Sequence, residues 1–378
     1  MNNHISRYLA CLLATVSLVL ASCNNLYIKV DESPPLIKVD TRYTEIHQSA
    51  YIPRKVSINF TRNGHTAAIY SSAEIRFFDL DNNQLIKEIR SPEQTIIYGE
   101  SSKDGNRYVL IINRIARILN TQHWTSIAQF KLENGPNDPN FSDNGQRLYI
   151  ARSLWNIETG KKITEGASGI SIADSDFSDN NQYFILADQA MVPTLIDMPS
   201  GKRLTLPPQI HNPKQTFFQN NNAYYIDYGT PPLPYTETLG LFSIEPQAQL
   251  AEITPYEGIS CWTRLKDDPR IIMSLNDGDV LVLDEKLNVL DHWSIGRKAL
   301  KCIGGTNARV WLAAESVDST ASARSFDIYE IDINKKTIAQ PITLKGIIED
   351  FAVSPDGKYI ALINGLPTKV LARIYLNQ

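Results

Sequence analysis

The sequence lacks the motifs that most often mark an enzyme. It contains no G-x-S-x-G, no H-E-x-x-H, no C-x-x-C and no glycine-rich phosphate loop. It is also poor in histidine, and its six copies show no paired spacing that would suit a metal site or a catalytic base. We therefore predict no catalytic residue, no metal site and no cofactor, although residues distant in sequence can still meet in the folded chain.

A surplus of positive charge is missing as well. The 37 Lys and Arg residues are set against 41 Asp and Glu residues, which gives a net charge of −4. Proteins that bind nucleic acid usually carry a basic excess or a run of Lys and Arg, and this chain has neither. We therefore expect no nucleic-acid partner. With 43% hydrophobic and 21% charged residues, the composition is that of a globular protein able to bury a core.

The N-terminus has the features of an export signal. Arg7 precedes an apolar run, residues 8–20, which is too short to span a bilayer but suits a secretory signal. The run ends in "LASC", residues 20–23, which resembles the lipobox of bacterial lipoproteins. The resemblance implies cleavage before Cys23 and lipidation of that residue, which would attach the protein to a membrane. An ordinary signal peptide, with Cys23 incidental, is the competing interpretation.

The residue after the lipobox indicates the cellular location of the protein. By analogy with bacterial lipoproteins, Asn24 rather than Asp at this position argues against retention in the inner membrane. The expected location is therefore the outer membrane, with the protein facing the periplasm, and the cell surface is the alternative.

A ten-residue phrase recurs along the chain. "FSDNGQRLYI" (141–150) and "FSDNNQYFIL" (177–186) match well, and six further copies begin at positions 60, 101, 217, 265, 303 and 353. The mean step is about 42 residues, which is within the range of propeller blades. In "SPDG" (354–357) the residues suit a type I turn followed by a Gly with positive φ. Each phrase thus predicts a β-hairpin, in which Asn181 replaces the Gly of the fourth copy.

The segments between the phrases complete a four-stranded unit. Each hairpin, strands A and B, is followed by two more predicted strands, C and D. Runs such as "VLIIN" (109–113) and "VLVLD" (280–284) are apolar on both faces, which indicates a sheet covered on both sides. We predict an all-β fold, a single closed β-propeller of four-stranded antiparallel blades, most simply eight, with seven as the alternative. An open stack or two smaller β domains is the competing architecture.

The two ends of the chain are predicted to share a blade. The last repeat has no D strand, whereas residues 41–60 contain a lone strand ahead of the first A strand. If the N-terminal strand completes the last blade, the ring closes and no sheet edge is left exposed. The predicted organisation is a signal peptide (1–22), a lipidated cysteine and tether (23–42) and the propeller (43–378).

The repeat motifs resemble those of the WD40-like β-propellers of bacteria. The S-x-D-G hairpins and the S/T-G-K turns carry the resemblance, and no Gly-His or Trp-Asp dipeptide marks a strict WD40 member. The combination of a lipid anchor and a propeller is similar to the propeller lipoprotein of the outer-membrane β-barrel assembly machinery. The Trp- and Gly-rich repeats of that family are absent, so the likeness extends only to the architecture and the expected cellular location.

Two cysteines other than Cys23 remain after cleavage. Cys261 and Cys302 lie 41 positions apart, on the predicted A strands of adjacent blades. Exported proteins with two cysteines often bridge them. Their different offsets from the hairpin phrase leave two separate buried thiols as the alternative.

Loop lengths indicate a binding face. The predicted A–B and C–D turns are tight, whereas three B–C connections on the opposite face are long: 187–194, 227–240 and 315–325. Long loops on a rigid scaffold are where binding residues concentrate. In the second connection, Tyr228, Pro232, Leu233 and Tyr235 offer stiff apolar contacts to a partner. The alternative is a rigid connector whose aromatic residues pack on its own blade.

The function that these features favour is non-enzymatic. We expect a lipid-anchored envelope scaffold that presents one loop-rich face to a protein or a cell-envelope polymer. An enzyme or a small-ligand receptor with its site at the mouth of the central channel is the alternative. Asp174 and Asp176 are candidates for that channel, although solvated acids at a strand end are the simpler interpretation. A surface adhesin is a third possibility.

Overall fold

The protein is built from β-strands arranged in a ring. A computed structural model of the chain contains 34 strands and no helix in the part of the chain that it describes. The described residues are 37–39, 43–51, 56–61, 64–71, 74–90, 98–102, 104–133, 139–151, 153–165, 172–188, 194–206, 210–220, 222–230, 236–316, 325–366 and 369–377.

The strands form eight antiparallel blades, which confirms the predicted propeller and its blade number. The innermost A strands of blades 1 to 8 are β3 (Ser57–Phe60), β7 (Tyr98–Ser101), β11 (Asn140–Phe141), β15 (Ile172–Phe177), β19 (His211–Phe218), β23 (Ile259–Arg264), β27 (Ala299–Gly304) and β32 (Ile347–Val353). The B strands are β4 (Thr66–Tyr70), β8 (Arg107–Ile112), β12 (Arg147–Ile150), β16 (Tyr183–Asp188), β20 (Ala223–Thr230), β24 (Ile271–Leu275), β28 (Arg309–Glu315) and β33 (Tyr359–Leu366).

The outer half of each blade follows in the same order. The C strands are β5 (Glu74–Asp79), β9 (Ile115–Asn120), β13 (Ser153–Asn156), β17 (Thr194–Asp197), β21 (Thr236–Ser243), β25 (Asp279–Leu283), β29 (Ser325–Asp332) and β34 (Lys369–Asn377). The D strands are β6 (Gln84–Arg90), β10 (Thr125–Lys131), β14 (Lys162–Glu165), β18 (Lys202–Thr205), β22 (Ala248–Ile253), β26 (Val289–Ser294), the pair β30 (Thr337–Ala339) and β31 (Ile342–Lys345), and β2 (Tyr43–Tyr51). We call the end with the A–B and C–D turns the turn face, and the opposite end the loop face.

The repeated phrase forms the same turn wherever its serine is present. In the fourth blade, Ser178 Oγ donates to Asn180 Oδ1 and accepts from the backbone N–H of Tyr183 at 2.9 Å. The backbone N–H of Asn181 donates to Ser178 O, and Asn181 has a φ of 58°. The hairpins that begin at Ser102, Ser142 and Ser354 repeat these bonds, with Gly at the positive-φ position. The predicted turn chemistry is therefore present, including the replacement of Gly by Asn.

Apolar packing joins each blade to the next. The described residues form eight buried clusters, and each draws on two neighbouring blades. One cluster closes the ring, because it packs Ile58 and Phe60 of blade 1 against Ala361 and Ile374 of blade 8. The double-sided apolar strands of the sequence are explained by this arrangement, since each sheet is covered on both faces.

Polar side chains also link the A strands of neighbouring blades. Asp174 and Asp176 of blade 4 accept hydrogen bonds from the backbone N–H groups of Thr216 and Phe218 in blade 5, at 3.0 and 2.9 Å. The two acids are therefore structural bridges, neither simply solvated nor free in the channel. Other junctions use Asn59, Asn140, Arg264, Thr263, Lys301 and Asp350 against the backbone of an adjacent A strand.

The N-terminal strands add to the last two blades. Strand β2 pairs antiparallel with β34, from Tyr43 opposite Asn377 to Tyr51 opposite Val370, so that blade 8 combines this N-terminal strand with β32, β33 and β34. Strand β1 (Ile37–Val39) pairs in parallel with β30 at the outer edge of blade 7. Part of the segment predicted as a tether, 23–42, is therefore a strand of the propeller.

The cysteines of blades 6 and 7 are joined. Cys261 on β23 and Cys302 on β27 form a disulfide between adjacent A strands, with their Cα atoms 5.7 Å apart. A–A contacts hold the inner ring, so the bond lies at one of the junctions that keep the channel in shape.

Replacing the bridging acid Asp176 with Ala is expected to lower the free energy of unfolding by about 1–3 kcal/mol, because the buried backbone N–H of Phe218 loses its acceptor. Urea denaturation measures the change. Asp179→Ala, at an exposed position in the following turn, is the matched control and should stay close to the parent. Equal losses in both variants would contradict the bridging role.

Removing the disulfide with Cys261→Ser and Cys302→Ser is expected to cost roughly 4 kcal/mol, the value for a closed loop of this length. Labelling of the denatured, unreduced mature protein with a thiol reagent gives a direct check. Neither cysteine should react before reductant is added, and two labelled residues would show that the bond is absent.

Candidate functional site

The loops predicted to bind a partner belong only in part to the described residues. Pro232, Leu233 and Tyr235 lie outside the described residues, as do 189–193 and 317–324 of the other two long connections. The prediction that Tyr228 contacts a partner is wrong. Tyr228 is only 2% exposed, because β20 continues to Thr230 and Tyr228 packs between blades 4 and 5, where its hydroxyl reaches Glu252 Oε2 at 3.2 Å.

The described part of the loop face exposes large apolar side chains in three consecutive blades. Tyr256, Leu300 and Ile347 are 64%, 52% and 51% exposed. Each lies where the chain enters an A strand: Tyr256 precedes β23, Leu300 is the second residue of β27 and Ile347 begins β32. We call these residues the loop-face arc. Exposed apolar residues grouped on one rigid face are typical of an interaction surface.

A cavity of about 580 Å³ opens in the central channel beside the arc. Its lining comes from blades 1, 2, 7 and 8 together with Pro139, and it includes four charged residues, Glu100, Lys301, Glu349 and Asp350. Lys301 Nζ lies 2.6 Å from Asp350 Oδ1 and donates to Phe351 O at 2.9 Å. The cavity therefore combines a fixed ion pair with two further carboxylates.

Glu349 owes its position to an irregularity in β32. The register against β33 shifts between Ile348 and Asp350, so that Glu349 is the extra residue of a β-bulge. Bulges redirect a side chain, and they are common beside binding sites. The carboxylate lies over Gly365, where a Cβ atom would come within 2.7 Å of Glu349 Oε1. Partial desolvation raises the pKa of this carboxyl above its usual value.

The same irregularity occurs in neighbouring blades. Ser260 in β23 and Leu300 in β27 are also bulge residues, and Leu300 belongs to the loop-face arc. The bulges were missed by the sequence reasoning, because nothing in the local residue pattern separates a bulged A strand from a regular one. Each bulge lies four residues before the last residue of its A strand, a regularity that emerges only once the strand register is known.

A second group of polar residues lies between blades 5 and 6. Asp227 is 5% exposed, and its Oδ1 has no hydrogen-bond partner among the described residues. Glu237, on the adjacent strand, is bonded through Oε1 to Lys214, while its buried Oε2 has no hydrogen-bond partner in the described part of the chain. Burial raises the pKa of Asp227 to about 7, opposed by the Lys214 ammonium and the Trp262 indole N–H.

A cleft of about 420 Å³ on the turn face has a structural role. Glu330 at its wall accepts from Arg309 Nη1 at 2.9 Å, from Asn377 Nδ2 at 3.0 Å and from the Tyr43 hydroxyl. Tyr43 and Asn377 belong to blade 8 and Glu330 to blade 7. These bonds attach β2 and β34 of blade 8 to β29 of blade 7. We therefore assign the polar residues of this cleft to holding the two blades together.

Metal binding has no geometric support in the described ranges. They contain no group of three or more His, Cys, Asp or Glu residues arranged to hold an ion. His65 is exposed and lies 2.7 Å from Asp81 Oδ2, a surface contact. Over the same part of the chain, no helix is long and apolar enough to cross a bilayer.

Comparison with known proteins gives no identity. No protein-family model matches the chain, and no curated protein matches it.

Asp227 predicts a pH dependence of stability. Its folded pKa of about 7 exceeds the ordinary value of 3.8, so the folded state binds more protons than the unfolded state between these pH values. Stability is therefore expected to fall as pH rises through this window, by up to roughly 4 kcal/mol in total. Asp227→Asn should remove this component, so that the variant gains stability relative to the parent between pH 4 and 8.

Chemical denaturation at a series of pH values compares the two proteins directly. Asp179→Asn, at an exposed site, serves as the control, and its difference from the parent should change little with pH. A constant difference between Asp227→Asn and the parent would show that Asp227 titrates normally.

Proposed function

We propose that the protein is a lipid-anchored binding protein of the bacterial outer membrane, held through Cys23, whose loop face binds a protein or a cell-envelope polymer. The observation that carries the binding role is the loop-face arc, Tyr256, Leu300 and Ile347, next to a charged cavity. The lipobox supports the anchor, and the export signal supports the periplasm as the compartment. A disulfide between Cys261 and Cys302 suits an oxidising compartment.

The arc suits a partner that is recognised by apolar contact and oriented by charge. Each arc residue exposes about half of its surface, so covering it would contribute on the order of 1 kcal/mol. Three such residues give a weak contact by themselves. Glu349 at the bulge would add a charged contact that orients the partner, which is the usual division between an apolar centre and a polar rim.

A small-ligand receptor or an enzyme is the second candidate, and the channel cavity is the observation that favours it. Its volume lies in the range of small-molecule sites. Its lining includes the Lys301–Asp350 ion pair and the carboxyl of Glu349, whose pKa is raised by burial. A polar ligand with a cationic group fits this lining best.

Photo-crosslinking in intact cells tests the leading proposal. A photoreactive amino acid at Leu300 or Ile347 is expected to give covalent adducts to another macromolecule, because both positions are exposed on the loop face. The same residue at Lys286, in an exposed turn on the opposite face, is the matched control. Leu300→Asp should reduce the adducts formed from Ile347 several-fold, since it places a charge in the arc.

Adducts with macromolecules from Lys286 alone, or monomer from every loop-face position, would contradict the proposal. Cys23→Ser tests the anchor separately, because the variant should leave the membrane fraction while its fold is retained. A small molecule that co-purifies in the channel and is lost in Glu349→Gln would favour the second candidate.

A further inference from the structure

The two buried carboxylates between blades 5 and 6 lie on one face of the same pair of strands. Asp227 on β20 is opposite Leu239 on β21, and Glu237 is opposite Gly229, so the two acids are diagonal neighbours. Side chains at such positions are within reach of each other, and Gly229 has no side chain to stand between them. Each acid has one buried oxygen, Asp227 Oδ1 and Glu237 Oε2, that receives no hydrogen bond from the described residues.

One cation serves both carboxylates. The Lys214 ammonium bonds to Glu237 Oε1, and its charge also acts on Asp227. Two further neighbours of Asp227 are neutral: Trp262 of blade 6, and Gln215, which is opposite Asp227 on β19. Two carboxylates and one ammonium leave a net negative charge at a site where Asp227 is only 5% exposed. A single proton would make the group neutral, and burial favours the neutral form of a carboxyl.

The turn that carries Tyr256 of the loop-face arc rests on this pair. The N–H of Gly258 closes the turn by donating to the carbonyl three residues earlier at 3.2 Å, and Gly258 has a φ of 74°. A Cβ atom on Gly258 would lie 3.6 Å from Glu237 Oε2, so the backbone of the turn packs against this carboxylate. Asn276 Nδ2 holds the turn from blade 6 by donating to Glu257 O at 2.8 Å. The position of Tyr256 therefore depends on where the Glu237 carboxylate lies.

These contacts connect the protonation of a buried acid pair to the binding face. We propose that the Asp227–Glu237 pair holds one proton when the loop face binds its partner, and that loss of this proton to solvent loosens the turn that carries Tyr256. Partner binding is then strongest at acidic pH. The inference rests on the binding role proposed for the loop face and adds its regulation.

Repulsion between like charges gives the direction of the response. Burial raises the pKa of Asp227 to about 7, and the Lys214 ammonium and the Trp262 indole N–H oppose this shift. Below this pH the pair keeps its proton and is neutral together with Lys214, whereas above it two carboxylates repel each other in a buried site. Asp227 is enclosed, but Glu237 is the second residue of β21, close to the loop face, and its side chain is 23% exposed. Glu237 is therefore the acid that moves towards water, and it withdraws from Gly258 as it does so.

Hydrogen exchange of the mature protein, corrected for its intrinsic pH dependence, measures the turn directly. Because one proton with a pKa of about 7 is released, opening of residues 255–261 should increase by about ten-fold between pH 6 and pH 8. Asp227→Asn should keep the turn protected at both pH values, since the amide stays neutral. Glu257→Gln, an exposed acid in the same turn, is the matched control and should respond as the parent does. No response in the parent, or an equal response in Asp227→Asn, would overturn the role of the pair.

A second variant distinguishes a shared proton from a single buried acid. In Glu237→Gln the Lys214 ammonium has Asp227 as its remaining carboxylate partner, so the pH midpoint of the exchange response should fall by about one unit or more. The size of the response should also shrink, because no second carboxylate is repelled. An unchanged midpoint and size would show that Glu237 takes no part in holding the proton.

Crosslinking separates this regulation from the binding role itself. Isolated envelopes that contain the protein with a photoreactive amino acid at Leu300 are irradiated at pH 6 and at pH 8. Adducts should be about three-fold or more abundant at pH 6 in the parent, and equally abundant at both pH values in Asp227→Asn. Equal yields in the parent would overturn the regulation and leave the binding role intact. No adduct at either pH, from Leu300 or from Ile347, would contradict the binding role, and the regulation would fail with it.

Discussion

The unpaired inner edge of each blade is the constraint on which the rest of the structure depends. An A strand pairs with a neighbouring strand on one side only, so the backbone N–H and C=O groups along its inner edge need partners from elsewhere. Side chains of the adjacent blade supply them, as Asp174 and Asp176 do for Thr216 and Phe218. Apolar clusters between the same blades add the larger share of the stability. Only a closed ring satisfies every edge in this way, and closure fixes where the channel and both faces lie.

Local chemistry explains how much of the fold was predictable. The Ser and Asp or Asn side chains of the repeated phrase satisfy the turn that they belong to, so hairpin positions follow from residues five apart. Spacing then gave the blade number. The bridging side chains and the bulges at Ser260, Leu300 and Glu349 were not predictable, because they depend on contacts between residues about forty positions apart and on register, which a period-2 pattern does not fix.

The error at Tyr228 has the same origin. The apolar run of β20 is continuous, so the sequence does not show where the strand ends and the loop begins. In the structure the strand extends to Thr230, and its side chains alternate between two interfaces. Tyr228 therefore packs towards blade 4, while Tyr225 and Asp227 point towards blade 6. The arc was overlooked for the opposite reason, since an isolated Leu300 or Ile347 in sequence looks like any other core residue of a strand.

The two N-terminal strands run in a direction that strand pairing fixes. An A strand runs from the loop face to the turn face, so a chain that began with a complete first blade would start on the loop face, beside the channel mouth. In this protein two strands precede the first A strand and take outer positions: β1 at the edge of blade 7 and β2 as the D strand of blade 8. Both run from the turn face. Strand pairing thus places the first residues of β1 and β2 near the turn face, on the side opposite the face that carries Leu300 and Ile347.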